Sequence, residues 1–357
     1  MMNEATVKDY LDKRIREGNI PGIQYMVMDP DRIIFEYANG WADIKEQKPM
    51  KTGTTMMAYS MTKTITAAAI LQLVEKGELG LDDSIDLHLT CNPYGKTITI
   101  RHLLSQTSGI PNPIPLRWVH LAEKHGEFHE DAALAKILKR YPGLSFEPGK
   151  KYSYSNISYW LLGKIIEKVS GQTYSTYIRE YIMAPLQLSE KEMNFIIPDP
   201  AYHAKGYLAK YSLMNLLKGF LIDKELIGDY EGKWLNIKDH YLNGPAFGGL
   251  IGSAGSISKF LQDQLKEESV LFNKETRNLY YAQQKNNAGE SVEMTLGWHI
   301  GYLEGMKYFF KEGGGGGFHC EMRIYQNKRI ASIVMINETS ANCKSYLNIL
   351  DKPFLSV

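Results

Sequence analysis

The sequence feature that most constrains this chain is a run from Ala67 to Val74 that is apolar on almost every side. A helix that is apolar around most of its circumference belongs inside a protein, so this run predicts a buried helix that ends near Gly77. Ser60 and Lys63 lie at its start. Residues three apart share a helix face, so the Lys63 amine can reach Ser60 Oγ. A buried amine beside a serine is one way to make that serine a nucleophile.

The Ser-x-x-Lys pattern alone does not establish a nucleophile, because four-residue patterns recur by chance in any long chain. An ordinary helix start capped by Ser60 explains the same residues. Thr64, Ile65 and the apolar run behind them favour a serine at the mouth of a core instead.

Length and charge limit the class of protein. The chain has 357 residues, 44% of them hydrophobic, which is enough for one large domain or two interleaved ones. Lys and Arg total 41 against 40 Asp and Glu, so the net charge is +1. The chain therefore has no excess of positive charge that would attract a polyanion, and we expect no nucleic-acid partner.

Cysteine content and hydropathy give further expectations. An odd number of cysteines without paired spacing (Cys91, Cys320 and Cys343) favours buried, reduced thiols over a disulfide framework or a zinc site. No metal constellation is present, and no cofactor is expected. The first 19 residues are charged and helix-patterned, unlike a secretory signal, and no apolar stretch approaches the roughly 20 residues of a membrane span. These features predict a cytoplasmic protein without a membrane span.

Strand patterns lie at both ends of the chain and helix patterns lie between them. A helix is predicted over Val7–Glu17 and another around 343–350, with strands over 22–28, 33–38, 306–310, 318–325 and 330–336. Predicted middle helices cover 100–106, 130–140, 158–170 and 173–183. This order predicts an α+β fold in which N- and C-terminal strands share one antiparallel sheet flanked by helices.

The same order predicts a discontinuous sheet domain (1–58 and 248–357) and a mainly helical domain (59–247), with a cleft between them. Residues 201–247 fit no clear pattern. Within them, Leu213–Ile222 is interpreted as a core helix in preference to an amphipathic lid.

A second candidate cluster is Tyr154 and Asn156, in a polar loop just before the apolar helix pattern. Both side chains can point into one cleft. A tyrosine serves as a base only if its phenolate is stabilised, which nearby ammonium groups would do. A helix cap by Ser155 or Asn156 above packed tyrosines explains these residues equally well.

The third candidate is the run from Lys311 through five glycines to Phe318. Glycines at a strand end let a substrate lie against the backbone, and N–H groups there can face a developing oxyanion. Five consecutive glycines are entropically costly for a simple hairpin, so the functional interpretation is preferred.

Taken together, these motifs resemble the serine β-lactamase and penicillin-binding-protein superfamily, in its branch of class C β-lactamases, family VIII esterases and D-aminopeptidase-like hydrolases. The resemblance covers nearly the whole chain. It rests on Tyr59–Thr64, Leu73–Asp83, Ile98–Ile110, Phe146–Gly149, Tyr154–Asn156, Gly248–Leu250, Ser256–Phe260, Leu296–Trp298 and the Lys311 motif. It implies the β-lactamase/transpeptidase-like fold.

The resemblance also implies roles. Ser60 would be the acylated nucleophile, Lys63 its activating amine, and Tyr154 the partner base that shuttles the proton. Asn156 would bind substrate or orient Lys63, and Lys311 would hold the phenolate and the substrate. The oxyanion hole would consist of the N–H groups of Ser60 and Gly314, with Glu312 and Gly313 beside the substrate.

Two positions depart from that superfamily. Glu312 stands where Thr or Ser usually helps to bind a substrate carboxylate. It would repel a carboxylate if it faced the cleft, and would be a solvated charge if strand alternation turned it away. Gln106 stands where many relatives have a structural His. No Gly-x-Ser-x-Gly is present, and His102 and His319 are not expected to be catalytic.

These observations predict a serine hydrolase that acts through a Ser60 acyl-enzyme on a small ester, amide or β-lactam. Carboxylesterase activity on small or medium esters, with weak β-lactamase activity, is the leading hypothesis. The alternatives are a β-lactamase, a D-amino-acid peptidase or amidase, and a non-catalytic penicillin-binding-type sensor. Oligomeric state is not predicted.

Overall fold

Strands from both ends of the chain build the largest sheet of the protein. The computed structural model describes residues 4–89, 92–113, 118–221 and 223–355. Its strands are β1 (Gly22–Met28), β2 (Ile33–Asp43), β3 (Lys48–Pro49), β4 (Met56–Met57), β5 (Val119–Leu121), β6 (Met193–Asn194), β7 (Gly206–Ala209), β8 (Ile227–Glu231), β9 (Trp234–Ile237), β10 (His240–Leu242), β11 (Ile251–Gly252), β12 (His299–Leu303), β13 (Met306–Gly315), β14 (Phe318–Tyr325) and β15 (Ile330–Ile336).

The main sheet has the strand order β12-β13-β14-β15-β1-β2-β3 and is antiparallel throughout. The N-terminal hairpin pairs with the last strand, for example Tyr25 opposite Val334. The predicted α+β fold with a sheet of terminal strands is confirmed. The proposed division into 1–58 with 248–357 and 59–247 stays a prediction.

Helices cover the sheet and fill the middle of the chain. They are α1 (Glu4–Arg16), α2 (Thr62–Glu75), α3 (Ile100–Leu104), α4 (Glu130–Arg140), α5 (Asn156–Ser170), α6 (Tyr174–Ile178), α7 (Leu213–Leu221), α8 (Pro245–Gly248), α9 (Ala254–Leu265), α10 (Lys274–Tyr281), α11 (Cys343–Leu350) and α12 (Lys352–Leu355). The helices predicted from periodicity agree with α1, α3, α4, α5 and α11 to within about two residues at most ends. The predicted 173–183 helix is α6 followed by a π-turn over Arg179–Met183.

Strand β1 is buried along its whole length because both faces of the sheet are covered. Ile23, Tyr25 and Val27 pack against α1 and α11. The alternate residues Met26 and Met28 belong to the larger core on the other face, which also holds α2 and α5. Side chains that alternate across a pleated strand thus join two separate cores.

A polar network lies under the sheet where it meets the C-terminal helices. Arg323 is fully buried and donates from Nε to Glu321 Oε1 at 2.6 Å. Asp351 accepts hydrogen bonds from the hydroxyls of Tyr25, Tyr325 and Ser332. Buried charges require partners of this kind, so the network ties both chain ends together.

Helix α2 is the buried helix that the apolar run predicts. Every residue from Thr62 to Leu73 is buried, and the helix packs against α5, α8 and α10. Its polar side chains have partners inside the core; Thr66 Oγ1 donates to Ala246 O at 2.6 Å. The start of α2, with Lys63, is therefore fixed on all sides.

Residues 201–247, for which no pattern was found, contain a three-stranded sheet with the order β7-β9-β8. Helix α7 follows β7. Leu213 and Leu216 are 70% and 79% exposed, so the interpretation of this segment as a core helix is wrong at these positions. The segment is strongly amphipathic, and a helix of this kind buries one face and leaves the other exposed.

Three further expectations concern the cysteines, metal sites and membrane spans. Cys320 and Cys343 are free and buried, and Cys91 lies outside the described residues. Among the residues the structure describes, no group of three or more His, Cys, Asp or Glu is arranged to hold a metal ion. No helix in the same part of the chain has the length and apolarity that a membrane crossing needs.

Candidate active site

Ser60 lies in a short 3-10 turn, Tyr59–Met61, that joins β4 to α2. Met61 occupies the N-cap position of α2 and makes no side-chain cap bond, so the interpretation of Ser60 as a helix cap is wrong. Tyr59 has φ = 43°, a left-handed conformation that is costly for a residue with a Cβ. Its hydroxyl donates to Gly316 O at 2.7 Å and lies 3.1 Å from His240 Nε2, which holds the turn in place.

Lys63 connects the serine to the core. Its Nζ lies 3.0 Å from Ser60 Oγ, 2.7 Å from Asn156 Oδ1 and 2.5 Å from the Phe247 carbonyl oxygen. Three acceptors match the three protons of an ammonium. If Nζ is a neutral amine, its lone pair can instead accept the Ser60 proton. The i to i+3 contact that the sequence predicted is present.

The electrostatics favour the neutral amine. Burial lowers the pKa of Lys63 well below its usual range, and the nearby Lys311 ammonium lowers it further. Desolvation penalises the charged form of an amine, and a like charge adds to that penalty. Lys63 is therefore more readily present as a neutral, proton-accepting amine than an exposed lysine is.

Tyr154 is the second side chain in hydrogen-bond contact with Ser60. Its hydroxyl lies 2.6 Å from Ser60 Oγ. Burial raises the pKa of this phenol, and the hydrogen bond from Ser60 only partly offsets that effect. Tyr154 is consequently a neutral phenol in the resting protein, in contrast to the ammonium-stabilised phenolate considered from the sequence.

The loop that carries Tyr154 is fixed by Gln106. The Ser155 N–H donates to Gln106 Oε1 at 2.6 Å, and Gln106 Nε2 donates back to Ser155 O at 3.2 Å. Ser155 caps α5 through Ser158 N, as one interpretation of the sequence predicted. Asn156 donates from Nδ2 to Asn112 Oδ1, which leaves its Oδ1 for Lys63.

Lys311 is fully buried on β13, and its Nζ has no hydrogen-bond partner among the described residues. Nζ lies 5.6 Å from the centre of the Tyr154 ring. Burial lowers the pKa of Lys311 to about 7. An unpartnered buried amine costs stability, which is typical of a functional site. The predicted hold on a phenolate is not made in this resting structure.

The glycine run is explained by close packing. A Cβ on Gly313 would lie 2.3 Å from Ala58 O, and one on Gly315 would lie 2.4 Å from the Tyr59 ring. Gly317 has φ = 92° and lies against Gly206. Gly314, by contrast, has room for a Cβ and lines the cleft. The run brings β13 against the Ser60 turn and leaves the Gly314 backbone open to a substrate.

Strand alternation places Glu312 on the opposite face of β13 from Lys311, but the side chain does not simply point into solvent. Glu312 Oε1 lies 2.7 Å from His319 Nε2 on the neighbouring strand. Both side chains line a cavity together with Tyr154. Glu312 therefore lies on the face of β13 away from Lys311 and still lines a cavity beside Tyr154. Neither of the two orientations considered from the sequence describes it fully.

Two cavities meet at Tyr154 and Gly314. The first, about 260 Å³, contains Ser60 and Asn156 and has mainly apolar walls from Val119, Leu226, Ile237, Leu242 and Phe247. We call it the apolar cavity. The second, about 560 Å³, contains Glu312, His299 and His319. We call it the Glu312 cavity.

Three site residues were not identified from the sequence. Asn112 orients Asn156, His240 contacts Tyr59, and the His299 ring stacks on the Tyr154 ring at 6.4 Å between centroids. Burial and the nearby Lys311 and Lys63 lower the pKa of His299, so its ring is neutral. His240 and His299 lie on β10 and β12, and Asn112 lies in the loop after α3; none of these segments carried a functional pattern.

Comparisons with known proteins identify the family of the chain. The chain matches the family model described as Beta-lactamase over residues 4–350. It is 29% identical over 312 residues to Penicillin-binding protein 4* of Bacillus subtilis (strain 168), covering 86% of this chain and 66% of that protein. The chain thus spans slightly less than two thirds of that relative.

Two solved structures show the same fold. The octameric penicillin-binding protein homologue from Pyrococcus abyssi has a TM-score of 0.80 and 24% identity, covering 99% of this chain and 77% of that one. D-amino acid amidase from Ochrobactrum anthropi SV3, complexed with L-phenylalanine amide, has a TM-score of 0.82 and 19% identity, covering 98% of each chain. Because the family match extends over nearly the whole sequence, the chain belongs to the Beta-lactamase family.

Proposed function

We propose that this protein is a carboxylesterase that cleaves small or medium esters through an acyl-enzyme on Ser60. One observation supports this most: Ser60 Oγ lies between the Lys63 amine at 3.0 Å and the Tyr154 hydroxyl at 2.6 Å, at the edge of an apolar cavity. A nucleophile with a base and an acid within hydrogen-bond distance can perform acyl transfer.

In acylation, the neutral Lys63 amine accepts the Ser60 proton while Oγ attacks the carbonyl carbon of the substrate. The proton then passes through Tyr154 to the leaving-group oxygen as the C–O bond breaks. In deacylation, water attacks the acyl carbon and its proton returns along the same path to Ser60 Oγ, so that the bond between that carbon and Oγ breaks and the acid is released. The pKa directions suit these roles, since a depressed amine pKa gives a base and a raised phenol pKa gives an acid.

The N–H groups of Ser60 and Gly314 are assigned as the oxyanion hole. Ser60 N lies 2.9 Å from the position a Gly313 Cβ would take, so the turn and β13 meet closely there. Lys311, when protonated, adds positive charge beside the developing oxyanion. Removing one donor of this kind costs a rate factor on the order of a hundred or more.

The apolar cavity is assigned to the acyl group of the substrate. Its volume, about 260 Å³, and its aliphatic and aromatic walls suit a short or medium hydrocarbon chain. Glu312 in the adjoining cavity disfavours the carboxylate of a β-lactam. An ester with an apolar acyl group therefore fits better than a penicillin, for which we expect only weak turnover.

A second candidate is hydrolysis of a D-amino-acid amide or peptide. The likeness to D-amino acid amidase, with a TM-score of 0.82, favours it. A non-catalytic sensor on the same scaffold is disfavoured because serine, amine and phenol are all present and hydrogen bonded.

Labelling and turnover test the proposal. We expect a fluorophosphonate to add one adduct at Ser60, and p-nitrophenyl butyrate to be hydrolysed faster than nitrocefin or D-alanyl amides. Ser60→Ala should abolish both labelling and hydrolysis. Preference for the D-alanyl amides would replace the esterase proposal with the amidase, and hydrolysis that survives Ser60→Ala would overturn both.

A further inference from the structure

We propose that Glu312, held by His319, selects the leaving group by charge, so that the enzyme prefers esters with a cationic leaving group and rejects those with an anionic one. This inference rests on the proposed hydrolase function and specifies its substrate class. It depends on where the Glu312 carboxylate lies, how it is held, and what charges surround it.

The leaving group belongs in the Glu312 cavity. Ser60 and Asn156 line the apolar cavity, which leaves that side for the acyl group. The proton donor to the leaving group is Tyr154, which also lines the Glu312 cavity. Once the carbonyl carbon is at Ser60 and the departing oxygen is at Tyr154, the rest of the leaving group extends toward Glu312.

The carboxylate is fixed in an ionised state. His319 Nδ1 lies 3.2 Å from Thr339 O, which only accepts, so Nδ1 carries a proton. The opposite ring nitrogen faces Glu312 Oε1 at 2.7 Å, and an imidazolium satisfies both contacts. The pKa directions agree: the bond to His319 lowers the pKa of Glu312, and Glu312 raises that of His319 against the effect of burial.

Of the two paired side chains, the Glu312 carboxylate is the one more accessible to a substrate. The Glu312 side chain is 44% exposed and the His319 side chain 19%. Glu312 Oε2 accepts no hydrogen bond from the described residues, so it is free to contact a ligand. Its charge also contributes, after burial, to raising the pKa of Tyr154, which places it within electrostatic range of the departing oxygen.

The two lysines that would bind a substrate carboxylate carry less positive charge than exposed lysines, because their pKa values are lowered. Burial lowers the pKa of Lys311 to about 7, so much of this amine is neutral at pH 7.5. Burial and the nearby Lys311 likewise lower the pKa of Lys63. The positive charge that a ligand group meets beside the carboxylate is therefore mainly that of His319, whose side chain is less exposed than that of Glu312. Lys344 and Arg323 also act on Glu312, and both lower its pKa less than His319 does.

Three thioesters that share the same butyryl group and differ only in the leaving group test the proposal. Their leaving groups are thiocholine (cationic), 2-mercaptoethanol (neutral) and 3-mercaptopropionate (anionic), and thiol release reports kcat/KM at pH 7.5. We expect the cationic ester to exceed the anionic one by about tenfold, the effect of one partly screened charge at contact distance. Glu312→Gln should reduce the ratio to within about threefold.

Two further variants separate charge from structure. His319→Gln removes the counter-charge and should increase the ratio. Glu36→Gln removes an exposed carboxylate from β2, away from the cleft, and should leave the ratio unchanged. A structural role for Glu312 predicts instead an equal loss for all three esters.

The outcomes are distinguishable. Ser60-dependent hydrolysis with a ratio near one, or a ratio that Glu312→Gln does not change, would overturn the charge selection alone. If none of the three esters is cleaved in a Ser60-dependent manner, the proposed hydrolase function fails and the selection fails with it.

Discussion

At the scale of single residues, the proposed chemistry depends on two groups whose pKa values are shifted in opposite directions. Burial lowers the pKa of Lys63 and raises that of Tyr154, which favours the neutral form of both groups beside Ser60. Neither group needs a charge before the reaction starts. A proton can therefore move from serine to amine and from phenol to leaving group without separating charge in the resting site.

This arrangement predicts a leaving-group-dependent effect of Tyr154→Phe. An alkyl alkoxide must be protonated as it departs, whereas p-nitrophenolate is stable without a proton. We expect kcat/KM for ethyl butyrate to fall about a hundredfold or more, and that for p-nitrophenyl butyrate to fall much less. Steady-state rates on the two esters measure this difference.

Tyr152→Phe is the matched control for that experiment. Tyr152 is two residues away and 40% exposed, and its hydroxyl contacts His299 Nε2 at 3.1 Å and does not contact Ser60. This variant should retain near wild-type rates on both esters. Equal losses on both esters in Tyr154→Phe would show that Tyr154 positions Ser60 and does not protonate the leaving group.

At the scale of elements, the site depends on how closely β13 approaches the turn before α2. Gly313 and Gly315 lack the Cβ that would collide with Ala58 O and the Tyr59 ring. Tyr59 in turn tolerates a left-handed backbone because its hydroxyl is tied to Gly316 O. Strand and turn thus fix each other, and the strain of the turn is compensated by the packing of the strand.

Gly315→Ala tests this mutual positioning. Its Cβ would lie 2.4 Å from the Tyr59 ring, so Tyr59 must move and Ser60 with it. We expect a stability loss of about 1–3 kcal/mol and a larger relative loss in kcat, measured by urea unfolding and ester hydrolysis. Gly143→Ala, where no atom lies within 4 Å of the new Cβ, is the control and should change neither. Unchanged kcat in Gly315→Ala would contradict the argument.

The elements that sequence patterns predicted are those that are apolar over most of their length. Helices α2 and α5 and strands β1, β14 and β15 follow from apolar spacing, and the Ser60–Lys63 contact follows from helix geometry. The partners of Tyr59, Asn156 and Glu312 could not be predicted. His240 and Asn112 are far in sequence from Tyr59 and Asn156, and no local pattern encodes such contacts. The contact between His319 and Glu312 depends on the register of β13 against β14, which the glycine run left undetermined.

The glycine run illustrates the same limit. The sequence indicated that backbone approach mattered there, and it does. It did not indicate that Gly313 and Gly315 accommodate the protein's own Ala58 and Tyr59, while Gly314 remains open toward the cleft. Only the register of β13 against the turn separates these roles.

At the scale of the whole molecule, the candidate site lowers the free energy of unfolding by an amount that depends on pH. Lys311 is fully buried without a hydrogen-bond partner in the described part of the chain, and burial lowers its pKa to about 7 from a usual value near 10.5. Between these two values the unfolded chain binds a proton that the folded protein does not. The free energy of unfolding therefore increases with pH across this range, and Lys63 adds to the slope in the same direction.

Lys311→Met should remove most of this cost together with the activity. The side chain keeps its length in a buried strand position but has no charge to desolvate. We expect the variant to unfold with a free energy about 2 kcal/mol higher at pH 7, and with a smaller increase between pH 7 and pH 10, in urea titrations at each pH. Lys8→Met, at an exposed position on α1, should keep the wild-type slope. A Lys311→Met protein that is less stable at pH 7, or that keeps the full pH slope, would show that the buried amine is paired in solution and that its charge is not a cost.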